Sequence, residues 1–208
     1  MPALLYVPII HNKPSFIIPD KTDSEFGGIV AKIIADFWDD IEQELLHRRF
    51  DSLFMDGVMH DVRLSKAKEL AEKERNWAFV CNQMKKGVRL KKTESNLFFY
   101  LYVIERSYMQ KHKEKLTVEN LKSALEVFDR NCFDQEEFAM LEKYCRGRRY
   151  FNGLDLRDRF VAKNVQASLE SKERGLLLMG GDHDVLKYIN GDIKIEKYIS
   201  PVIEQLLD

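Results

Sequence analysis

The sequence predicts an α/β fold, a mainly parallel β-sheet flanked by helices, in one domain over residues 1–208 with a helical insertion at about 113–150. Three observations predict it. Short apolar runs without polar alternation, Leu4-Leu5-Tyr6-Val7-Pro8-Ile9-Ile10 and Leu176-Leu177-Leu178-Met179, read as strands buried on both faces. Strand, helix, strand, helix, strand succeed one another as far as Leu90, the order of a parallel layer. Several runs also stop at a glycine or an ionisable residue, as expected where carboxyl ends of parallel strands open a crevice.

Each element has its own warrant. In the first strand Pro8 has no N–H to give a ladder, so pairing should change near it. Asp23 or Ser24 can cap a long helix with Phe26, Ile29, Val30, Ile33, Ile34, Phe37, Ile41 and Leu45 on one face. Leu53-Phe54-Met55 is a second strand, ended by Asp56-Gly57. Ser65 can cap the next helix, running through Ala67, Leu70, Ala71, Trp77 and Met84 to Gly87. Val88-Arg89-Leu90 is the third strand, with Thr93-Glu94-Ser95 just after it. Leu97 to Ile104 fits a strand or a buried helix, and the charged continuation from Glu105 to Lys111 decides for helix. Two short amphipathic helices, around 118–128 and 135–144, form the insertion. A helix from Asp155 to about Ser171 feeds the Leu176–Met179 strand. Asp192-Ile193-Lys194-Ile195-Glu196 alternates like an exposed edge strand, and Pro201 suits the first turn of a closing helix.

Composition narrows the partners. With 45% apolar residues the chain can bury a proper core. A net charge of -1 with both signs interspersed implies neither nucleic acid nor a membrane surface. The basic runs Lys85-Lys86, Arg89, Lys91-Lys92 and Arg146 to Arg149 read as solvated faces. The three cysteines, Cys81, Cys132 and Cys145, are too sparse for a disulfide framework or a metal clip and point to a reducing, cytoplasmic setting. The apolar start lacks a basic region before it, so it reads as a strand and not a signal peptide.

The strand ends carry the chemistry. The first strand ends in His11, the second in Asp56, the third in Glu94 and the late one in Gly180-Gly181-Asp182-His183-Asp184. If those strands are parallel neighbours, two imidazoles and two or three carboxylates share one rim. That donor set suits a divalent metal, zinc or manganese, with His11, His183, Asp56 and Glu94 as ligands. The same four residues also serve a metal-free acid/base centre. Arg157 and Asp158, with Gly180 and Gly181, are the substrate-binding candidates, since arginine at a positive helix end favours an anionic partner. His47, His60 and His112 sit among charged residues and read as surface histidines. No P-loop, dinucleotide fingerprint or nucleophile elbow occurs.

Arg157-Asp158-Arg159-Phe160-Val161-Ala162, then Gly175-Leu176-Leu177-Leu178-Met179-Gly180 and His183-Asp184-Val185, resemble the closing motif of a group of bacterial proteins without an established activity. That group is distantly similar to the TraB, Tiki, ChaN and erythromycin-esterase-like superfamily. Gly180-Gly181-Asp182-His183 matches its late Gly-x-x-His, and Val7-Pro8-Ile9-Ile10-His11 resembles the opening of the group. Pro8 stands where the wider superfamily has glycine, Asp56 where glutamate is commoner, and residues 113–150 match nothing in it. The resemblance implies a hydrolase-like site. The expected function is hydrolysis of an ester, lactone or peptide bond in a small-molecule or peptide substrate, by a chain that can form a homo-oligomer. Two alternatives stand beside it: a non-catalytic module that binds a small metabolite, and an assembly protein whose 113–150 helices dock a partner.

Overall fold

The computed structural model describes residues 1–10, 24–126 and 133–207. Five parallel strands, β1 (Ala3–Ile9), β2 (Ser52–Met55), β3 (Arg89–Leu90), β4 (Arg174–Gly180) and β5 (Lys194–Lys197), form one sheet in the order β3-β2-β4-β1-β5. The α/β fold expected from the sequence is the fold observed.

The two faces of the sheet reflect the alternation of side chains along each strand. Leu176 and Leu178 of β4, with Leu5 and Val7 of β1 and Leu53 and Met55 of β2, face α1 (Ser24–Leu45) and α3 (Arg75–Lys85). Phe37, Trp38, Ile41 and Leu45 of α1 and Phe79 and Val80 of α3 close that core. The opposite face, Leu177, Met179, Leu4, Tyr6 and Phe54, packs on Val161, Ala162 and Val165 of α7 (Gly153–Ser168). Each such buried aliphatic or aromatic side chain stabilises the fold by roughly 1.5–3 kcal/mol. Gly175, near the start of β4, lets Leu4 and Leu169 pack close to the strand: a Cβ there would lie 2.9 Å from Leu4 Cδ1 and 3.0 Å from Leu169 Cδ1, and those side chains would have to shift.

A third cluster lies beyond α7. Leu97, Phe98 and Leu101 of α4 (Asn96–His112), Val118 and Leu121 of α5 (Val118–Leu125), and Leu141 and Tyr144 of α6 (Gln135–Cys145) pack around Leu156 and Phe160. Thus α7 is covered on both sides, by the sheet and by these helices. The ambiguous run at Leu97 is helical, capped by Ser95, whose hydroxyl accepts the Phe98 N–H at 3.2 Å.

Some boundaries differ from expectation. The helix expected from Ser65 to Gly87 is two helices, α2 (Leu64–Ala71) and α3, with Arg63 and not Ser65 at the first cap. The break falls where Glu72-Lys73-Glu74-Arg75-Asn76 offers no apolar side chain to hold a continuous stripe. Ile29 of α1 is exposed, and among the side chains described the apolar face of that helix is fully buried at Phe37, Ile41 and Leu45. Pro8 behaves as its chemistry demands: pairing with β5 ends at Tyr6, whereas pairing with β4 continues to Ile9. β5 is the exposed edge strand expected, and α8 (Pro201–Leu207) begins at Pro201. No helix among the described residues is long and apolar enough to cross a membrane.

Candidate functional site

The register brings the strand ends together. Met55 pairs with Leu178, Leu53 with Leu90 and Ile9 with Gly180, so β1, β2, β3 and β4 finish on one rim. Asp56 is the next residue after β2. Its N–H donates to the Leu178 carbonyl at 2.8 Å and its Oδ2 accepts the Gly180 N–H at 3.2 Å, which ties it to the end of β4. Thr93 and Glu94 lie just past β3, and both backbone N–H groups donate to the Val58 carbonyl. Thr93 Oγ1 accepts the Met55 N–H at 3.0 Å, stitching this loop to β2. Glu94 is 1% exposed, and the Gly57 N–H donates to its Oε1 at 3.3 Å.

Arg157 and Asp158 sit one turn into α7, because that helix begins at Gly153, two residues before the expected start, with Asn152 as its cap. Asn152 accepts the Asp155 N–H at 2.9 Å. Arg157 donates to Glu94 through Nε, 3.0 Å, and through Nη2, 2.7 Å, and Nη2 also reaches Asp56 Oδ1 at 3.1 Å. The rings of Tyr102 and Phe99, on α4, lie 5.0 and 5.4 Å from the guanidinium carbon and cover it. Asp158 turns the other way. Its Oδ1 meets His183 Nδ1 at 2.5 Å, and its Oδ2 accepts the Asp184 N–H at 2.9 Å. A turn returning the His183 N–H to the Gly180 carbonyl brings the imidazole back over the rim, with Nε2 3.4 Å from Asp56 Oδ2.

Of the residues singled out in the sequence, Asp56, Glu94, Arg157, Asp158 and His183 therefore form one buried cluster. Gly180 contributes its N–H, and Gly181 is exposed beside it. His11 lies outside the described residues. His47, His60 and His112 are exposed, as expected. Sequence reasoning missed Tyr102 and Phe99, which carry no signal beyond an aromatic-rich helix. It missed also that Arg157 is engaged by carboxylates of its own chain. The adjacency of Arg157 and Asp158 was the available clue, since neighbours on a helix diverge by about 100° and serve different partners.

Three carboxylates and one guanidinium leave two negative charges in excess when the imidazole is neutral. Buried charge of that kind must be met by protons or by a cation. Burial pushes Glu94 well above the ordinary carboxylate range, and the neighbouring Asp56 adds to this against the opposing pull of Arg157. Burial alone would lower His183, but the hydrogen bonds to Asp158 and Asp56 outweigh it and raise the imidazole to about 9. One ligand atom each from Asp56, Glu94 and His183 lies within 4.8 Å of the others, so this group can hold a metal ion. Nδ1 is anchored on the Asp158 carboxylate and Nε2 faces Asp56, the orientation that metal-ligating histidines adopt. Comparison with protein-family models, with curated proteins and with solved structures finds no match.

Proposed function

We propose that this cluster is the catalytic centre of a hydrolase acting on an ester, lactone or peptide bond, with zinc or manganese held by Asp56, Glu94 and His183. The observation that carries the reading is the mutual reach of those three ligand atoms together with an imidazole whose Nδ1 is fixed by Asp158. The donor set, two carboxylates and one imidazole, is one that both ions accept. A divalent ion in that place supplies Lewis acidity and acidifies water. It also supplies the two positive charges the buried cluster lacks.

The residues of the chain have separable tasks. Asp158 holds the His183 ring and selects its tautomer. Gly180 and Gly57 position Asp56 and Glu94 through their N–H groups. Arg157 braces both carboxylates and adds a fixed positive charge to the centre, of the sign that stabilises a developing oxyanion. His11, two residues beyond Ile9 in sequence, is the fourth proposed ligand. The resemblance of the closing motif to the TraB, Tiki, ChaN and erythromycin-esterase-like superfamily supports the same class of reaction.

One observation favours a second reading, a non-catalytic module that binds a small metabolite on the same rim. Arg157 already neutralises much of Glu94 and Asp56, as in a purely structural ion-pair cluster. A panel of ester, lactone and peptide substrates, assayed with zinc- and manganese-reconstituted protein, separates the two. The hydrolase reading expects turnover that His183→Ala and Asp56→Ala abolish while the circular dichroism spectrum is kept. Ligand-dependent thermal stabilisation without turnover would support the binding module instead.

A further inference from the structure

An open groove of about 730 Å³ lies between α6 and α7, and none of its lining residues belongs to the buried cluster. Its lining gathers Lys143, Arg146, Arg148, Arg159 and Lys163 against one acid, Glu136. In a chain of net charge -1 that is a local departure. The sequence shows Arg146 to Arg149 only as a basic run; the fold adds Arg159 and Lys163 from the next helix, α7. Arg157 and Arg159 are two residues apart on α7, so they project about 200° apart around its axis, and the groove is separate from the buried cluster.

Two of the arginines, Arg148 and Arg159, are held in place. The Arg148 guanidinium carbon is 4.2 Å from the centre of the Tyr144 ring, and that of Arg159 is 4.3 Å from the Tyr188 ring. Asp155 accepts from Arg159 Nε at 3.1 Å and lies 3.9 Å from Arg148 Nη2, one carboxylate shared by two guanidinium groups. Lys163 reaches Glu136 at 3.4 Å. Lys143 and Arg146 have no ion pair among the described residues. The groove therefore keeps an excess of positive charge, on guanidinium forks that suit phosphate oxygens. Met140 and Tyr144 give it apolar and aromatic lining besides. Its volume is that of a small-ligand pocket, not of an extended polymer track.

We propose that this groove binds a phosphate-bearing small molecule of nucleotide size, with Arg146, Arg148 and Arg159 taking the phosphate oxygens. Pyrophosphate and ADP are the probes, titrated calorimetrically into the full chain with EDTA present, so that the strand-end cluster contributes no metal-mediated binding. Wild type is expected to bind both. Arg146→Glu, whose side chain has no ion pair to lose among the described residues, and the double variant Arg148→Ala/Arg159→Ala should each bind roughly ten- to hundredfold more weakly. His183→Ala and the surface control Lys111→Glu should bind as wild type does. Absence of binding by wild type at millimolar probe, or equal binding by the groove variants, overturns the proposal. Binding of a single-stranded oligonucleotide without binding of pyrophosphate or ADP overturns it in favour of a nucleic-acid surface.

Discussion

His183 Nδ1 lies 2.5 Å from Asp158 Oδ1, and that contact turns Nε2 toward Asp56. One carboxylate on α7 thus fixes both the tautomer and the direction of an imidazole that β4 delivers. Asp158→Asn keeps the size of the side chain but removes its charge and one of its two acceptor oxygens. Zinc affinity should fall by roughly 10–100-fold, the usual cost of losing such a partner. Competition titration against a chromogenic chelator measures it, and an unchanged affinity would deny Asp158 this positioning role.

Arg157 is 5% exposed and sits between two carboxylates. Truncating it leaves buried charge unpaired, so Arg157→Met should cost about 3–5 kcal/mol in urea unfolding of metal-free protein. Glu94→Gln added to it should restore part of that loss, because the double variant buries one charge fewer. Strictly additive losses would mean that the two side chains do not interact as their distances imply.

Protonation and metal binding should oppose each other. The native state raises His183 from 6.5 to about 9, so the protonated form is favoured by folding. Its contribution is complete below pH 6.5 and is lost as pH rises through about 9. Glu94, also raised, acts with the same sign from above the ordinary carboxylate range. The urea midpoint of chelated protein should therefore fall between pH 6.5 and 9, and His183→Gln should flatten the upper part of that fall. Zinc needs the neutral imidazole, so the gain in midpoint on adding zinc should widen over the same interval. A gain that shrinks with rising pH would remove His183 from the ligands.

Gly153 begins α7 beside α4. A Cβ there would lie 2.7 Å from Tyr102 Cα and 3.0 Å from Glu105 Oε2. The buried Glu105 carboxylate accepts the Gly153 N–H at 2.7 Å, and burial raises its pKa. Gly→Ala gains ~1 kcal/mol of helix propensity in an open helix interior, and less at a first helical position such as Gly153. Here overpacking against backbone should outweigh it, for a net loss of roughly 1–3 kcal/mol. Thermal unfolding of the variant tests this, and a rise in midpoint would show that α4 yields easily.

Much of this fold was legible because strands buried on both faces announce themselves as unbroken apolar runs. Leu176 to Met179 could scarcely be anything else, and Asp56 and His183 stand out as ionisable residues just past such runs, whereas Glu94 follows a short strand that Arg89 interrupts. Strand order was not legible, since it depends on how β4 inserts between β1 and β2, a long-range choice that no local pattern records. Arg157 was legible as a functional candidate but not as the partner of Glu94, 63 positions away in the chain. The split between α2 and α3 was missed because Ser65 and Ala67 to Met84 satisfy helix signals on both sides of a short polar break. The groove at Arg148 and Arg159 was hidden for the same reason as the strand order.

The most direct test of the central claim is the metal content of untagged protein, measured by elemental analysis after equilibration with zinc or manganese. Wild type, His183→Ala, Glu94→Gln and His11→Ala would be compared, each verified as folded. Near-stoichiometric metal is expected in wild type and its loss in His183→Ala and Glu94→Gln, with His11→Ala reporting on the fourth ligand. A folded wild type that retains neither ion would contradict the metal centre and leave the cluster as a protonated ion-pair network.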